Sequence, residues 1–516
     1  MQEHLKSYFE QGLFKKIVEE LKDNIKSEMD LFLLVFAGIS ISNLSVVESA
    51  ISNSKEILDK PENKVLDLYF QALIQQKKFN YEKALELYNN AEKAINASAL
   101  HEIMKIVVPL GKGEVFHIKQ ELNKSNLILE NILNSNNAIP PYFFLNIKQL
   151  IGSNLLYSGK LEEAREIFLS IVGSNFRNDN LLFKSQSYNN LGNIAHWSGK
   201  LNDALSYFTK ARNMASRGDH LKIVAMALTN IGTIYYDQRK LNEAKTVFEE
   251  ALKIFLKENI KSFLPVVLGN LGMVEFSIGE VDKSLKYFDE ILSLFREMGN
   301  KIYVAATLTN ILFIHFEKHT ILDHVQLLLE FPENLEENPL ILGYYKLSKG
   351  LILLAENKIH ESERMFKESL EIDALDFDSK MICYENLIQI TLEKWSKHQD
   401  YDIFKVLVNF FDQWEELCKQ NRLYANICKI YLLRGKFAEL LLQLEQAQHF
   451  YQKSKKLAEQ NELPKHTIVA SNSLISLEEK IQLVDLPKMY KSFENINEFT
   501  SYLKRIQQII DHAEMN

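Results

Sequence analysis

A 40-residue period through the middle of the chain constrains its fold more than any other feature. Paired residues stand at Ile151-Gly152, Leu191-Gly192, Ile231-Gly232, Leu271-Gly272 and Ile311-Leu312, each pair 40 positions after the last. Turn signals keep the same phase at Gly159-Lys160-Leu161, Gly199-Lys200-Leu201, Arg239-Lys240-Leu241 and Gly279-Glu280-Val281. A small residue follows at Ala164, Ala204, Ala244 and Ser284, and four residues on come Phe168, Phe208, Phe248 and Phe288. Self-similarity at a fixed period of this length marks stacked repeats rather than a single core.

One unit has simple physics. Apolar residues recur at helical spacing over 180–198 and again over 201–215. A glycine such as Gly199 ends the first helix, and Asn202-Asp203 opens the second, with an acid at its positive end. Gly192 and Ala204 are small where two helices must cross closely, and Phe208 fills the space beside them. A single hairpin cannot bury its apolar face, so neighbouring hairpins must stack. At 516 residues the chain far exceeds a single core of about 250–300 residues. Its 18 glycines and 9 prolines are few, which disfavours a turn-rich β fold.

These residues resemble the tetratricopeptide repeat, a pair of antiparallel helices with a Leu-Gly, Tyr, Ala, Phe, Ala signature. Ile231, Gly232, Tyr235, Ala244, Phe248 and Ala251 match in order; Leu191, Gly192, Ala204, Phe208 and Ala211 do so with Ala195 in the tyrosine place. The usual repeat has about 34 residues and ends in Pro; these units are longer and lack that Pro. In that respect they are similar to the long repeats of kinesin light chains, Pins-type adaptors and bacterial peptide-sensing regulators. The resemblance implies an all-α, right-handed solenoid of about twelve hairpins, with first helices on the concave face and second helices on the convex face.

The period sets the expected organisation. Residues 1–139 read as degenerate helical hairpins, 140–331 as the regular array, 332–486 as further hairpins, and 487–516 as an amphipathic helix with a stripe of Ile496, Phe499, Leu503, Ile506 and Ile510. That last helix is read either as a cap on the solenoid or as a segment that reaches a groove or partner. Gly12-Leu13-Phe14 and Leu44–Ala50 look like decayed turns. Leu110-Gly111 with Ser125 makes a poorer unit, and Pro109 is expected to kink its first helix. Phe331 to Pro339, with two prolines, is the best linker, and His324 replaces the small residue in the unit before it.

Asparagine stands immediately before the pair at Asn190, Asn230, Asn270 and Asn310. Asparagine is a mediocre helix former and gains nothing from burial, so four in phase need a reason. Two readings stay open. An amide offers one acceptor and two donors, matching the backbone of an extended peptide. The resemblance implies this role, with selectivity from Gln186, Asn189, Asn193, Trp197, Thr233 and Asp237 on the same face. Alternatively, each asparagine bonds to the adjacent repeat and sets the superhelical pitch. The clamp that holds a chaperone's C-terminal carboxylate in this family wants cations; the equivalent places hold Asn189, Asn193, Asn230, Val266 and Asn270, which excludes that clamp in this region.

Other chemistry is weakly signalled. A net charge of −8 argues against bulk nucleic-acid binding. Cys383, Cys418 and Cys428 have no CxxC spacing. His315 and His319, one turn apart, could share a metal, but His315 occupies the repeat's packed aromatic place. The Gly-Lys pairs are helix stops, not phosphate loops. No signal peptide is visible and 31–41 is too short to span a bilayer, so a cytoplasmic location is expected, with no membrane insertion. The reading is therefore a non-catalytic adaptor that binds a peptide or partner protein in its concave groove, without a cofactor. The alternative is a peptide-sensing regulator that controls a signalling partner, and self-association through the end repeats stays open for both.

Overall fold

Through the middle of the chain the backbone turns every 20 residues, and one local geometry makes the turns. Gly159, Arg239, Gly279 and His319 close first helices at φ of 75°, 61°, 99° and 57°. Asp219, Asn259 and Gly299 close second helices at 54°, 54° and 66°. The next amide then donates back across the turn, as from Lys160 to the Leu155 carbonyl (2.9 Å), His220 to Ala215 (2.9 Å) and Lys240 to Tyr235 (2.8 Å). A left-handed residue at this place satisfies carbonyls that the helix end would leave orphaned. Four of these seven positions are not glycine, so here the fold imposes the conformation on ordinary residues.

The computed structural model describes residues 3–483, other than 42, 79, 96–98, 136–137, 175–179, 199, 333–334, 336–337, 373–374, 399–400, 421–423, 441–442 and 461–462. Gly199 and the amphipathic stretch at 487–516 thus lie outside the described residues. Those described form helices joined by short turns, with no strand.

The chain divides into two compact units, Met1–Leu375 and Asp376–Asn516. In the first, α1 (Glu3–Gln11), α2 (Phe14–Leu21), α3 (Glu28–Ser40), α4 (Leu44–Asn53) and α5 (Lys55–Leu58) precede the regular pairs. These are α6 (Lys64–Lys77) with α7 (Tyr81–Lys93), α8 (Ala99–Ile118) with α9 (Leu122–Leu133), and α10 (Pro141–Tyr157) with α11 (Leu161–Val172). Next come α12 (Leu181–Trp197) with α13 (Leu201–Arg217), α14 (Leu221–Asp237) with α15 (Leu241–Lys257), and α16 (Leu264–Ile278) with α17 (Val281–Glu297). Helix α18 (Lys301–Glu317) packs on α19 (Pro339–Ala355), which pairs with α20 (Ile359–Leu370). The second unit holds α21 (Phe377–His398), α22 (Tyr401–Gln420), α23 (Tyr424–Leu440), α24 (Leu444–Gln460) and α25 (Pro464–Leu483). The architecture is an α-solenoid of antiparallel helix pairs.

Most pairs, from α10–α11 onward, are locked by a glycine on the first helix and an aromatic ring 16 residues later. A Cβ built on Gly152, Gly192, Gly232, Gly272 or Gly350 would stand 2.5–2.8 Å from the ring of Phe168, Phe208, Phe248, Phe288 or Phe366. Gly435 and Tyr451 repeat the arrangement in the second unit. Such contact leaves no room for a methyl group, which is why glycine stands inside helices it would otherwise weaken.

Three sequence expectations change in detail. Leu44–Ala50 belongs to helix α4, not to a turn: the Asn43 carboxamide accepts from the Val46 amide at 3.3 Å, and Val47 and Ala50 are buried. In the α8–α9 pair the phased glycine is Gly113, not Gly111, since a Cβ there would meet Leu129 at 3.1 Å and its carbonyl accepts from Ser125 Oγ at 2.8 Å. Residues Ile321–Glu330 form no second α-helix but a 3-10 segment broken at His324 (φ −122°), whose ring stacks on His315 at 3.6 Å. A bulky imidazole in the small place cannot approach the first helix as alanine does.

Candidate functional site

Concave sides of α3, α6, α8, α10, α12 and α14 face one cavity of about 1120 Å³. Its apolar walls include Leu73 and Val107, Leu150 from α10 and Met226 from α14. One wall is amide-rich: Asn146 and Gln149 come from α10, and Gln186, Asn189 and Asn190 from α12. Lys77, Glu114 and Lys222 add charges from α6, α8 and α14.

The N-terminal hairpin straps this concavity. Its turn, Gly12 to Lys16, lines the cavity. The Glu10 carbonyl accepts from Asn180 Nδ2 at 2.9 Å, Gly12 lies against Leu182, and Lys15 pairs with Glu258 beyond α15. Phe9 and Phe14 pack on Tyr142 of α10, with ring centroids 4.8 and 5.7 Å away. The first residues thus reach across several repeats instead of only extending the stack.

Burial sets the electrostatics. Glu114 accepts from Gln76 Nε2 at 3.3 Å and bonds Asn146, and Gln76 Oε1 accepts from the Tyr88 hydroxyl at 2.7 Å. Burial raises the Glu114 carboxyl above its ordinary range despite the opposing charge of Lys77. Burial also raises the Tyr69 and Tyr142 hydroxyls. It pushes His220, at the start of α14, down to about 4, against the pull of Asp219.

The ten residues singled out by period fall into different settings. Gln186, Asn189 and Asn190 line the cavity. No side-chain hydrogen bond joins Gln186 or Asn190 to another described residue. Asn230 instead donates to the Asn189 carboxamide oxygen at 3.0 Å and to that of Asn193 at 3.5 Å, linking α14 to α12. Asp237 bridges repeats through His196 Nε2 at 2.8 Å, and Thr233 Oγ1 donates to the Thr229 carbonyl of its own helix at 3.2 Å. Trp197 is exposed at the end of α12, Asn270 is half-buried and Asn310 exposed, all three outside the cavity lining. Asn146 and Gln149 escaped the sequence reading although they stand 40 residues before Gln186 and Asn189; shifting the phase by one repeat finds them. The strap, Lys77 and Lys222 carry no periodic signal.

The His315–His319 metal idea finds no support in the geometry. His319 lies in a left-handed turn, His315 bonds Thr320 Oγ1 through Nδ1 at 3.0 Å, and no group of three metal-ligating side chains occurs among the described residues. No helix among the described residues is long and apolar enough to cross a membrane.

The family model of the tetratricopeptide repeat matches residues 184–257, which span α12 to α15. The chain carries tetratricopeptide repeats. Among solved structures, it is similar to aspartyl phosphate phosphatase F from Bacillus subtilis at 16% identity, over 70% of this chain and 94% of that one, with a TM-score of 0.42. A tetratricopeptide repeat protein from Parabacteroides merdae aligns at 17% identity over 56% and 99%, with a TM-score of 0.37. The apo form of the quorum sensor NprR from B. thuringiensis aligns at 14% over 68% and 95%, with a TM-score of 0.42. No curated protein matches the sequence. In the helix pairs of this chain the Gly–Phe contact serves packing, whereas Gln186 and Asn190 of the amide wall make no side-chain hydrogen bond to another described residue.

Proposed function

We propose that the chain is a non-catalytic interaction protein that holds a short peptide, or an extended segment of a partner protein, against its concave first helices. The observation that carries this reading is the pair Gln186 and Asn190: two polar amides on one cavity wall, neither hydrogen-bonded to another described residue. Each can both donate to and accept from a peptide backbone. Each bond formed contributes about 0.5–1.5 kcal/mol net, so a wall of amides supports roughly micromolar affinity. Asn230, bonded to Asn189 and Asn193, takes the other role weighed from the sequence and ties one repeat to the next.

The test compares the full chain with a Gln186→Ala/Asn190→Ala variant, using a mixture of random short peptides and native mass spectrometry. The variant keeps its unfolding midpoint and loses retained peptide at least tenfold. Equal retention at an equal midpoint removes the amide wall from the binding site.

A further inference from the structure

The turn between α1 and α2 has its partners far along the chain. Asn180, whose Nδ2 donates to the Glu10 carbonyl at 2.9 Å, stands 170 residues further on. Glu258, which pairs with Lys15, stands 243 residues further on. Residues Gly12 to Lys16 line the same cavity as Ser153, Gln186 and Asn190, so the position of this turn sets how wide the chamber opens.

The hairpin is attached in two unlike ways. One attachment is apolar: Phe9 and Phe14 are buried, with ring centroids 5.3 and 5.9 Å from Phe36 of α3 and 4.8 and 5.7 Å from Tyr142 of α10. Buried aromatic rings carry a large share of packing energy. The other attachment, at the tip, is polar and sparse. Gly12 meets Leu182 without a side chain of its own to interlock. The Lys15 side chain is 54% exposed, so water and salt reach its pair with Glu258. Ion pairs open to solvent on one side are weak and screened by salt. Both ends of that pair sit beside left-handed turn residues, Gly12 at φ 71° and Asn259 at φ 54°, rather than within helices. The tip therefore releases at lower cost than the aromatic anchor, which stays in place and acts as a pivot.

We propose that the α1–α2 hairpin is a latch over the concave chamber, pivoting on Phe9 and Phe14 and held shut by the Lys15–Glu258 ion pair. Access to the chamber then requires this pair to break, whatever the chamber binds. The inference goes beyond the peptide reading and does not depend on it.

The test measures access directly, without a ligand. The full chain carrying Ser153→Cys, a position that lines the chamber, is labelled with fluorescein maleimide, and Leu127→Cys, exposed on α9 outside the lining, is the control. The native Cys383, Cys418 and Cys428 are buried, and the unsubstituted chain gives their background. Lys15→Glu sets two carboxylates against each other and raises the labelling rate at Ser153→Cys at least tenfold, with the rate at Leu127→Cys unchanged. The exchanged pair Lys15→Glu/Glu258→Lys restores the original rate to within twofold. Thermal melting checks that each variant is folded. If Lys15→Glu lowers the midpoint, Lys15→Gln, which removes the charge without repulsion, makes the comparison, with a rise of at least threefold expected. An unchanged rate at Ser153→Cys overturns the latch. So does a rise that persists in the exchanged pair, or one that appears equally at Leu127→Cys. Each of these results leaves the peptide reading standing, and loss of that reading leaves the latch standing.

Discussion

Gly192 and Phe208 touch so closely that a Cβ on the glycine would lie 2.5 Å from the ring. Phe208 is 1% exposed and has nowhere to move. Gly192→Ala therefore destabilises by about 1–3 kcal/mol through overpacking. Gly192→Ala combined with Phe208→Leu recovers part of this loss, so the double variant is less destabilised than the two single effects added. Urea unfolding of the three variants checks the coupling; strictly additive effects would show that the contact is not the cause.

The small place of the second helix holds serine at 125, 284 and 362, and the three differ. Ser125 Oγ donates to the Gly113 carbonyl and Ser362 Oγ to the Gly350 carbonyl, each at 2.8 Å. Ser284 Oγ is buried with no hydrogen-bond partner among the described residues. Ser362→Ala costs about 1 kcal/mol, whereas Ser284→Ala is neutral or stabilises by up to about 1 kcal/mol. The midpoint shifts in denaturant should have opposite signs or differ by that amount.

Arg239 holds the left-handed turn at φ 61°, where Gly159 and Gly279 stand in other repeats. A side chain in this conformation costs roughly 1–2 kcal/mol, and glycine returns part of that through its greater unfolded-state freedom. Arg239→Gly raises the thermal midpoint, with a gain of up to about 1 kcal/mol, while Gly279→Arg lowers it.

His220 stays neutral in the folded chain until about pH 4, against 6.5 for the free side chain. Between these values the unfolded state binds a proton that the folded state does not, so stability falls as pH falls from 6.5 to 4 and this contribution changes no further below that. The loss is on the order of 2–3 kcal/mol at pH 4. His220→Asn removes this part of the slope in unfolding free energy between pH 6.5 and 4; an unchanged slope would assign it to other groups.

Asn190 and Asn230 are one period apart and have separate roles. Asn230→Ala removes the bonds to Asn189 and Asn193 and costs about 1–2 kcal/mol of stability. Asn190→Ala leaves stability within about 0.5 kcal/mol. Melting curves of the two single variants make the comparison directly.

Much of the fold was legible because close packing of two helices leaves a chemical trace in sequence. A glycine, a small residue 12 positions later and a ring four beyond that mark most of the places where a helix pair crosses at contact distance. The trace recurs at Gly152, Gly192, Gly232 and Gly272. It blurs at Gly111 and Gly113, where two glycines compete and the contacts with Leu129 and Ser125 distinguish them. It fails at His324, where an imidazole replaces the small residue and the backbone departs from helix.

By itself, the sequence determined the helical pairs and their period, because these depend on contacts between residues near each other in the chain. Only the tertiary structure decided that Gln186 and Asn190 share a chamber with Lys77 and Lys222, that Asn230 bonds its neighbours, and that the first turn of the chain straps the concavity to Glu258. Those relationships run from adjacent repeats, for the Asn230 bonds, to several repeats, for Lys77 and the strap. They arise from the curvature that accumulates as pairs stack, and no local pattern of residues records that sum.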